Sequence, residues 1–341
     1  MAKEAITSQD VAKRAGVSQS AVSRVFSPGR SVSAKMTTKV RAAAEELGYR
    51  PNILARSLIT GKSKIIGLVV AYLENQFYPE ALEKLSKLLQ TQGYHVLIFM
   101  AKLDDSNVDS LLENLLDYKV DGIVMASVAM SNNLAARCED EGIPVVLFNR
   151  SQDDDRLSAV TSDNIQGGRK VAEFLAAGEH KRIAHIAGWS GASTQVDRER
   201  GFRLGLNEVG LELFDIEVGN FHFDSTQEAA RRMFSKSQTP DAIFVANDHM
   251  ALAVMECLRS EFDIRIGKDV SIVGYDDVDL ASWPSFDLTT IRQPSNRMVE
   301  ETVTTLMEHI NEDKTKPRRI ALDGPLIVRS SARIPRGWSR D

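Results

Sequence analysis

From Lys64 onward, short apolar runs alternate with amphipathic stretches of helical length. The runs IIGLVVAYL, HVLIFMA, DGIVMAS and PVVLFN are long enough for buried strands, and segments such as EALEKLSKLLQTQG and DSLLENLLDYK lie between them. A strand that runs parallel to its predecessor needs a crossover connection, usually a helix. The pattern therefore predicts an α/β fold with a doubly wound parallel sheet.

The same alternation restarts near residue 158. SAVTSD, RIAHIAG, DIEVGNF, DAIFVAN and VSIVGYDD form a second series, whose helices are expected to begin near Ile165, Val196, Ser225, His249 and Asp279 or earlier. A final segment contains LTTIRQP, a helix from about Asn296 to Asn311, RRIAL and LIVRSS. It is too short for a third domain, so we expect it to return to the first sheet. The prediction is two subdomains, about 64–162 with 291–330 and about 163–290, with a ligand cleft between them.

The amino-terminal end differs from this body in charge. Residues 1–63 contain eleven Lys and Arg against four Asp and Glu, a formal charge of +7, which leaves 31 bases and 43 acids, a charge of −12, for the rest. Cationic clusters gain free energy by releasing counterions from phosphate, so only this end is expected to bind a polyanion. A solvated basic surface explains the charge equally well when charge is the only evidence.

Three short helices are predicted in this basic region. The pattern Thr7-Ser8-Gln9-Asp10 can cap a helix that Gly16 ends, and Ser18 can cap a second helix. Small residues lie where two short helices joined by a tight turn must cross closely. The predicted helices run from Ser8 to Gly16, from Gln19 to about Phe26 and from about Ala34 to Leu47, and the inward-facing alanines of the first two are Ala12, Ala15 and Ala21.

The outer face of the second helix carries Gln19, Ser20, Ser23 and Arg24, which offer hydrogen-bonding groups and one cation but no carboxylate. Gln and Arg can read base edges in the major groove, and Ser can reach phosphate. An ordinary three-helix bundle with a polar face is the alternative. We predict a small all-α helix-turn-helix DNA-binding domain over residues 1–50, followed by a hinge or linker over 51–63.

The stretches DVAKRAGVSQSAVSRVF, VS and AAEELGYRPNILARSL resemble the DNA-binding head and hinge of the lactose/galactose repressor (LacI/GalR) family. The resemblance implies that Gln19 and Ser20 read bases and that Arg24 contacts a base or phosphate. It also implies a wedge in the minor groove from the hinge leucine. The further residues implied at the DNA are Thr7, Ser18, Ser23, Ser33 and Tyr49 at phosphates, and Asn52, Ala55 and Leu58 in the hinge.

The body contains polar and aromatic residues directly after successive apolar runs. In open parallel sheets, ligands bind outside the carboxyl ends of the strands. Rings mixed with carboxylate, amide and guanidinium groups suit a hydroxylated ring, which stacks on one face and pairs its hydroxyls. Taken alone, each residue is more often a helix cap or a loop-packing residue than a ligand contact, so the argument depends on their recurrence at successive strand ends. The candidates are Asn75, Phe77, Tyr78, Asn149, Arg150, Asp163, Thr194, Arg198, Phe221, Asn247 and Asp276.

The body also resembles the core of the same family along nearly its whole length, through GLVVAYLENQFY, DNIQGGRKVAEFLAAGEHKRIAHIAG, RERGF, FVANDHMALAVM, SIVGYDD and LTTIRQP. The resemblance implies a type I periplasmic-binding-protein-like fold, with Arg198 at the effector-clamping position and Asp276 at the sugar-binding carboxylate position. Asn247 and Phe221 match effector contacts as well. The expected protein is a homodimeric repressor on a palindromic operator, with a tetramer left open. Its effector is expected to be a sugar or sugar acid; Arg150 beside Arg198 also leaves room for a phosphate, and a purine is the weaker alternative.

Other functional classes find little support. The chain contains no GxGxxG, GxxxxGK[ST], GxSxG or HExxH motif, and we expect neither catalysis nor a cofactor. Cys138 and Cys257 are expected to be buried thiols rather than a disulfide or metal site. No membrane partner is expected, and the predicted location is the cytoplasm. A solute-binding protein would share the body but not the basic head. The sequence leaves open whether the effector releases the repressor from DNA or whether the protein needs a corepressor ligand or a partner protein to bind DNA.

Overall fold

The computed structural model describes residues 6–26, 32–50, 62–101, 108–312 and 315–340. The chain divides into two compact units, Met1–Ser63 and Lys64–Asp341, which we call the head and the body. The predicted hinge contacts Asn52, Ala55 and Leu58 lie outside the described residues.

The described part of the head contains three helices, and local caps fix where they begin and end. Thr7 and Asp10 form a capping box in which each side chain accepts from the other residue's backbone N–H. Ser18 and Ser33 cap the next two helices. Gly16 and Gly48 end the first and third helices in the left-handed conformation, with φ of 59° and 67°. The helices are α1 (Ser8–Ala15), α2 (Gln19–Val25) and α3 (Ala34–Leu47), which confirms the predicted bounds to within one residue.

The head core consists of small and β-branched side chains. Val11, Val22 and Val40 are fully buried at its centre. Ala12 and Ala15 pack in the same cluster, as the close crossing of α1 and α2 requires. The polar residues of α2 therefore remain on the outside.

The first lobe of the body is a parallel sheet of order β11-β5-β4-β3-β1-β2. Its strands are β1 (Ile65–Val70), β2 (His95–Met100), β3 (Gly122–Ala126), β4 (Val145–Phe148), β5 (Ser158–Ser162) and β11 (Arg319–Leu322). Its helices are α4 (Phe77–Thr91), α5 (Val108–Asp117), α6 (Asn132–Asp140) and, from the end of the chain, α11 (Ser295–Asn311).

The second lobe has the order β12-β10-β9-β8-β6-β7, parallel except for the pair β10 and β12. Its strands are β6 (Ile183–Ala187), β7 (Asp215–Val218), β8 (Ala242–Val245), β9 (Ser271–Asp276), β10 (Thr289–Arg292) and β12 (Leu326–Ile327). Its helices are α7 (Asn164–Ala177), α8 (Ser193–Glu208), α9 (Phe223–Phe234) and α10 (Asp248–Glu261), with a 3-10 turn at Asp279–Ser282. Two doubly wound α/β lobes, as predicted, therefore form the body.

The terminal segment corrects one expectation, because only part of it returns to the first sheet. Helix α11 and strand β11 do so, and β11 pairs with β5. Strand β10 instead pairs with β9, and β12 pairs with β10, in the second sheet. Strand β5, which opens the second series of runs, lies in the first sheet beside β4. The chain thus crosses between the lobes after β5, after β10 and after β11.

The structure also bears on the two cysteines and on membrane-spanning helices. Cys138 and Cys257 are free and buried, and burial raises the pKa of Cys138 to about 11. No helix in the described part of the chain is long and apolar enough to cross a membrane.

Candidate functional site

The four predicted reading residues lie on the exposed side of α2. Gln19 Nε2 donates to Ser8 Oγ at 2.9 Å, and Arg24 Nε donates to the carbonyl of Ser20 at 3.3 Å. The Ser18 and Ser20 hydroxyls are 2.9 Å apart. Gln19, Ser20, Ser23 and Arg24 are all exposed, so each can meet an external partner.

The predicted phosphate contacts coincide with helix starts. Thr7, Ser18 and Ser33 are the N-caps of α1, α2 and α3, and all three are exposed. Backbone N–H groups at the start of a helix favour an anion such as phosphate. Tyr49 is half-buried, and its ring lies 5.9 Å from that of Phe26.

The body has a small cavity between the carboxyl ends of the two sheets, which we call the cleft. Its volume is about 20 Å³. Nine of the eleven predicted effector contacts line it. The lining residues are Tyr72, Asn75, Tyr78, Ser127, Asn149, Arg150, Thr194, Arg198, Phe221, Asn247 and Asp276.

Phe77 and Asp163 do not line the cleft. The Phe77 ring stacks on Phe148 in the core of the first lobe, with centroids 6.1 Å apart and planes 14° apart. Asp163 caps α7, where its carboxylate accepts from Gln166 N at 3.0 Å. Both residues have packing or capping partners at the start of a helix.

Tyr72 and Ser127 line the cleft but were not predicted. Gln293 donates to the cleft residue Asp276 and was also not predicted. Ser127 directly follows β3 and Gln293 directly follows β10. The expectation that ligands bind at the carboxyl ends of strands includes both residues when it is applied to every strand. Tyr72 lies two residues beyond β1.

Four lining residues have backbone conformations that side chains rarely adopt. Ser127, Asn149 and Phe221 have φ of 65°, 54° and 66°, and Asp276 has φ of 131°. Each follows or ends a strand, and together they cluster at one place in the fold. Such conformations cost about 1–3 kcal/mol each and concentrate at functional sites. The strained backbone supports a ligand-binding role for the cleft.

Asp276 is the most connected acceptor of the cleft. Its carboxylate accepts from Asn75 Nδ2 at 2.7 Å, from Gln293 Nε2 at 2.6 Å and from Arg198 Nη2 at 3.4 Å. Burial raises the pKa of Asp276, and the adjacent Arg198 guanidinium opposes that rise. The bond from Asn75 joins the first lobe to the second.

Arg198 is held by the second lobe. Its Nε donates to Asn164 Oδ1 at 2.8 Å and its Nη1 to the carbonyl of Ala246 at 2.7 Å, while the guanidinium lies 3.7 Å from the Tyr275 ring centroid. Helices α7 and α8 touch closely here, and a Cβ at Gly201 would come within 2.0 Å of the Ile165 carbonyl oxygen. The glycine three residues after Arg198 therefore permits the helix contact that positions it.

Asp248, beside the cleft, was not predicted. It is fully buried, its carboxylate accepts from Thr290 Oγ1 at 2.6 Å and from Val278 N at 3.0 Å, and burial together with the nearby Asp276 raises its pKa to about 7. The residue before it, Asn247, caps α10 by accepting from Met250 N at 2.9 Å. The Asn-Asp pair after β8 thus supplies one lining residue and one buried carboxyl behind it.

The first lobe contributes amides, phenols and a guanidinium. Asn149 Nδ2 donates to Tyr78 Oη at 3.1 Å, and Arg150 Nη2 donates to the Ser127 carbonyl at 2.7 Å. The Tyr72 hydroxyl donates to the carbonyl of Phe221 across the cleft. Asn149 Oδ1 and Gln293 Oε1 are buried with no hydrogen-bond partner among the described residues. Asn149 lines the cleft, where its Oδ1 can accept a hydrogen bond from a bound molecule.

No set of three or more His, Cys, Asp or Glu side chains within the described ranges is arranged to hold a metal ion. The cleft lining combines amide, phenol, guanidinium and carboxylate groups, which can form hydrogen bonds with a polar organic molecule.

Comparison with known proteins identifies the family. The family model of bacterial regulatory proteins of the lacI family matches residues 7–52, and that of the periplasmic binding protein-like domain matches residues 171–332. The ribose operon repressor of Escherichia coli (strain K12) is 31% identical over 331 residues, covering 96% of this chain and 99% of that protein. The chain belongs to the LacI family.

Other similar proteins extend the likeness. The transcriptional repressor PurR of Pasteurella multocida (strain Pm70) is 31% identical over 330 residues, covering 96% of this chain and 98% of that protein. A lac repressor dimer bound to operator and the anti-inducer ONPF is 27% identical with a TM-score of 0.87, covering 97% of this chain and 100% of that one. A CelR–cellobiose complex is 30% identical with a TM-score of 0.72, covering 96% and 99%.

These comparisons confirm the predicted family and the fold class of a helix-turn-helix head with a periplasmic-binding-protein-like body. The relatives named above are transcriptional repressors or regulators. The chain is a DNA-binding transcriptional repressor of the LacI family.

Proposed function

We propose that the protein represses transcription as a homodimer on a palindromic operator, and that a sugar or sugar derivative in the cleft controls this binding. The supporting observation is that one chain joins an exposed reading face without carboxylates to a buried polar cleft, and that the likeness to the ribose operon repressor extends over both. The protein acts on DNA, so its proposed location is the cytoplasm.

On DNA, α2 enters the major groove. Gln19, Ser20 and Arg24 read base edges, and the exposed helix caps hold phosphates on either side. The hinge residues carried over from the family, Asn52, Ala55 and Leu58, belong to the same proposal.

Exposed apolar residues on two edge strands support a dimer. Strand β2 is an edge strand of the first sheet, and its Ile98 (53%) and Met100 (48%) are exposed. Strand β7 is an edge strand of the second sheet, and its Ile216 (38%) and Val218 (46%) are exposed. Apolar edge strands promote association unless something covers them, and a second copy would cover both. Such a dimer presents two heads to two half-sites.

Ligand binding is expected to change how the lobes meet. The volume of the cleft, about 20 Å³, is enough for roughly one water molecule, which needs about 10–15 Å³ on the same measure, and is too small for a sugar ring. To bind there, a sugar ring therefore has to replace internal hydrogen bonds with bonds to its own hydroxyls. Two such internal bonds, from Asn75 to Asp276 and from Tyr72 to Phe221, join the lobes. The resulting shift of the first lobe biases the protein between DNA-bound and free states.

A genome-wide selection of bound duplexes, followed by operator titration with and without candidate sugars, tests the proposal. We expect one enriched palindromic sequence and an affinity change of roughly 5- to 150-fold on adding the effector. An increase identifies a corepressor and a decrease an inducer. Equally weak binding to all duplexes, with or without the compounds, contradicts the proposal.

A further inference from the structure

His249 lies where the two lobes meet, beside the cleft. It is the second residue of α10 in the second lobe and directly follows the buried Asp248. Its imidazole packs edge-on against the ring of Tyr72, a lining residue from the first lobe, with centroids 5.9 Å apart and planes 86° apart. In its own lobe the imidazole contacts the Phe223 ring, with centroids 6.1 Å apart. The contact between the lobes therefore encloses this imidazole between two aromatic rings.

The enclosed side of the imidazole is poorly prepared for a positive charge. His249 Nε2 is buried and has no hydrogen-bond partner among the described residues. The Glu74 carboxylate of the first lobe faces it at 3.9 Å, which is too long for a hydrogen bond. The Glu74 side chain is 66% exposed, so water screens its attraction for a charged imidazole. The other titratable groups that face His249 are the Tyr72 hydroxyphenyl ring and His222, which directly precedes α9.

This environment favours the neutral form of His249. Burial lowers the pKa of His249 below the ordinary 6.5, the Glu74 carboxylate opposes this change, and His222 adds to it. When the lobes separate, water reaches the imidazole and its pKa returns toward 6.5. The separated lobes then bind the proton more strongly, so the closed arrangement loses population as pH falls below 6.5. At pH 7.5 the imidazole is mostly neutral in both arrangements, and the effect is nearly absent.

The cleft needs the same movement of the lobes in order to take a ligand. The tyrosine that contacts His249 also donates its hydroxyl to the Phe221 carbonyl of the second lobe, and Asn75 donates to Asp276 nearby. We propose that protonation of His249 loosens the contact between the lobes, so that mild acid favours the same state of the body as a bound effector. The comparison with the effector rests on the proposed control of DNA binding through the cleft.

The distance between two spin labels measures the separation of the lobes in the intact protein. Gln76→Cys in the first lobe and Asp224→Cys in the second place labels at exposed positions near the mouth of the cleft, and the native Cys138 and Cys257 are buried. An excess of unlabelled protein restricts the signal to labels in one chain. We expect the distance to increase between pH 7.5 and 5.5, and the increase to be absent when the labelled protein also carries His249→Gln.

Operator titration at the same two pH values tests the consequence for DNA binding. None of the six histidines lies in residues 1–63, and the reading face contains no group that titrates in this range. We expect the operator affinity to change in the direction in which the effector changes it. The change is up to about 10-fold for each pH unit by which the pKa of His249 differs between the two arrangements. Asp248, with a pKa of about 7, is present in the wild type and in His249→Gln, so the difference between these proteins carries the test.

Variants separate the proton from the packing. Glu74→Gln removes the carboxylate that favours the charged imidazole, so the pKa of His249, measured by NMR titration, should fall further and the response to acid should grow. A role in packing alone does not predict this increase. His180→Gln is the matched control, because burial also lowers the pKa of His180 but its charged neighbours Asp241 and Arg333 lie in the same lobe. It should respond to acid like the wild type.

The outcomes separate this inference from the proposed function. If acid leaves the label distance unchanged, or if His249→Gln responds to acid like the wild type, the inference is overturned and the effector-controlled repressor stands. If the distance increases but operator affinity does not follow, movement of the lobes does not control DNA binding, and the proposed function fails while the acid-sensitive contact remains.

Discussion

The head and the cleft use polar side chains in opposite ways. Gln19 and Arg24 are exposed and donate to Ser8 and to the Ser20 carbonyl, whereas Arg198 and Asp276 are 3% and 4% exposed and bond to each other. The side chains of the proposed reading face are therefore available to a partner as they stand, whereas a ligand proposed to bind in the cleft has to replace internal bonds. Substitutions in the head should change DNA affinity with little effect on stability, and substitutions in the cleft should change both stability and ligand response.

The largest expected effect is that of Arg198→Ala. It removes the cation beside the buried Asp276 carboxylate, and breaking a buried pair costs about 3–5 kcal/mol. We expect the free energy of unfolding to fall by roughly that amount, the effector response to disappear and operator affinity without ligand to stay near that of the wild type. Denaturant unfolding and operator titration measure these quantities.

Arg203→Ala is the matched control for Arg198→Ala. Arg203 lies on the same helix and pairs with Glu199, with its side chain 46% exposed, and such exposed pairs contribute about 0–1 kcal/mol. A normal effector response in Arg198→Ala would show that this arginine is not part of the ligand site.

The next effect is a pH dependence that arises from the body. The folded state raises the pKa of Asp248 to about 7 from the ordinary 3.8, so the folded protein holds a proton that the unfolded chain has lost between these pH values. The contribution of Asp248 to the free energy of unfolding therefore falls by about 1.4 kcal/mol per unit as pH rises through this window. Burial lowers the pKa of His185 to about 4, which gives the opposite slope up to pH 6.5, its ordinary pKa.

Asp248→Asn separates the two slopes. Without the carboxyl group, stability should rise with pH between about 4 and 6.5, whereas in the wild type the two contributions nearly cancel over that range. Denaturant unfolding from pH 4.5 to 7.5 measures both profiles. Asp269→Asn is the control, because Arg265 lowers the pKa of Asp269 to about 2 and it stays ionised throughout. Parallel profiles for the wild type and Asp248→Asn would rule out a titrating Asp248.

Arg24→Ala should change DNA binding and leave the stability of the protein nearly unchanged. Loss of a base contact costs about 1–3 kcal/mol of binding free energy and relaxes sequence preference. The side chain is exposed, so stability should change by less than about 0.5 kcal/mol. Operator titration against single-base variants of the operator measures the preference.

Arg14→Ala is the matched control in the head. Arg14 pairs with Glu46, both with 54% exposed side chains, and its loss should leave the sequence preference unchanged. Equal operator affinity and preference in Arg24→Ala and the wild type would remove α2 as the reading helix.

The head was easier to predict from the sequence than the cleft, because its structure depends on local contacts. Helix bounds in the head depend on contacts within a few residues, such as Thr7 with Asp10 and Gly16 after Ala15, so local patterns predicted them. The cleft joins residues as distant as Asn75 and Asp276. Its lining was predictable only through the rule that ligands lie at strand ends, and Phe77 and Asp163 show that this rule cannot tell a lining residue from a core or capping residue.

The division of the terminal segment between the sheets was not predictable from its pattern. LTTIRQP and RRIAL are both short strand-like runs, and each sheet had an edge to accept them. Which sheet each run joins depends on hydrogen bonds between residues that are far apart in the sequence. Thr290 donates to the buried Asp248 and Thr289 to the Arg329 carbonyl, and both partners lie in the second lobe. Only the assembled lobe gives these two buried threonines their partners.

The smallest expected effect separates stability from DNA binding at a single residue of the head. Ser18 caps α2, with Ala21 N donating to Ser18 Oγ at 3.2 Å, and it is also a proposed phosphate contact. Ser18→Ala should weaken the cap by about 1 kcal/mol and Ser18→Gly by only a few tenths, because glycine is a tolerated N-cap. Hydrogen exchange of the Ala21 and Val22 amides in the intact protein measures the cap. If the hydroxyl holds a phosphate, operator affinity falls equally in both variants; if affinity instead follows the exchange rates, Ser18 acts on DNA only through the stability of α2.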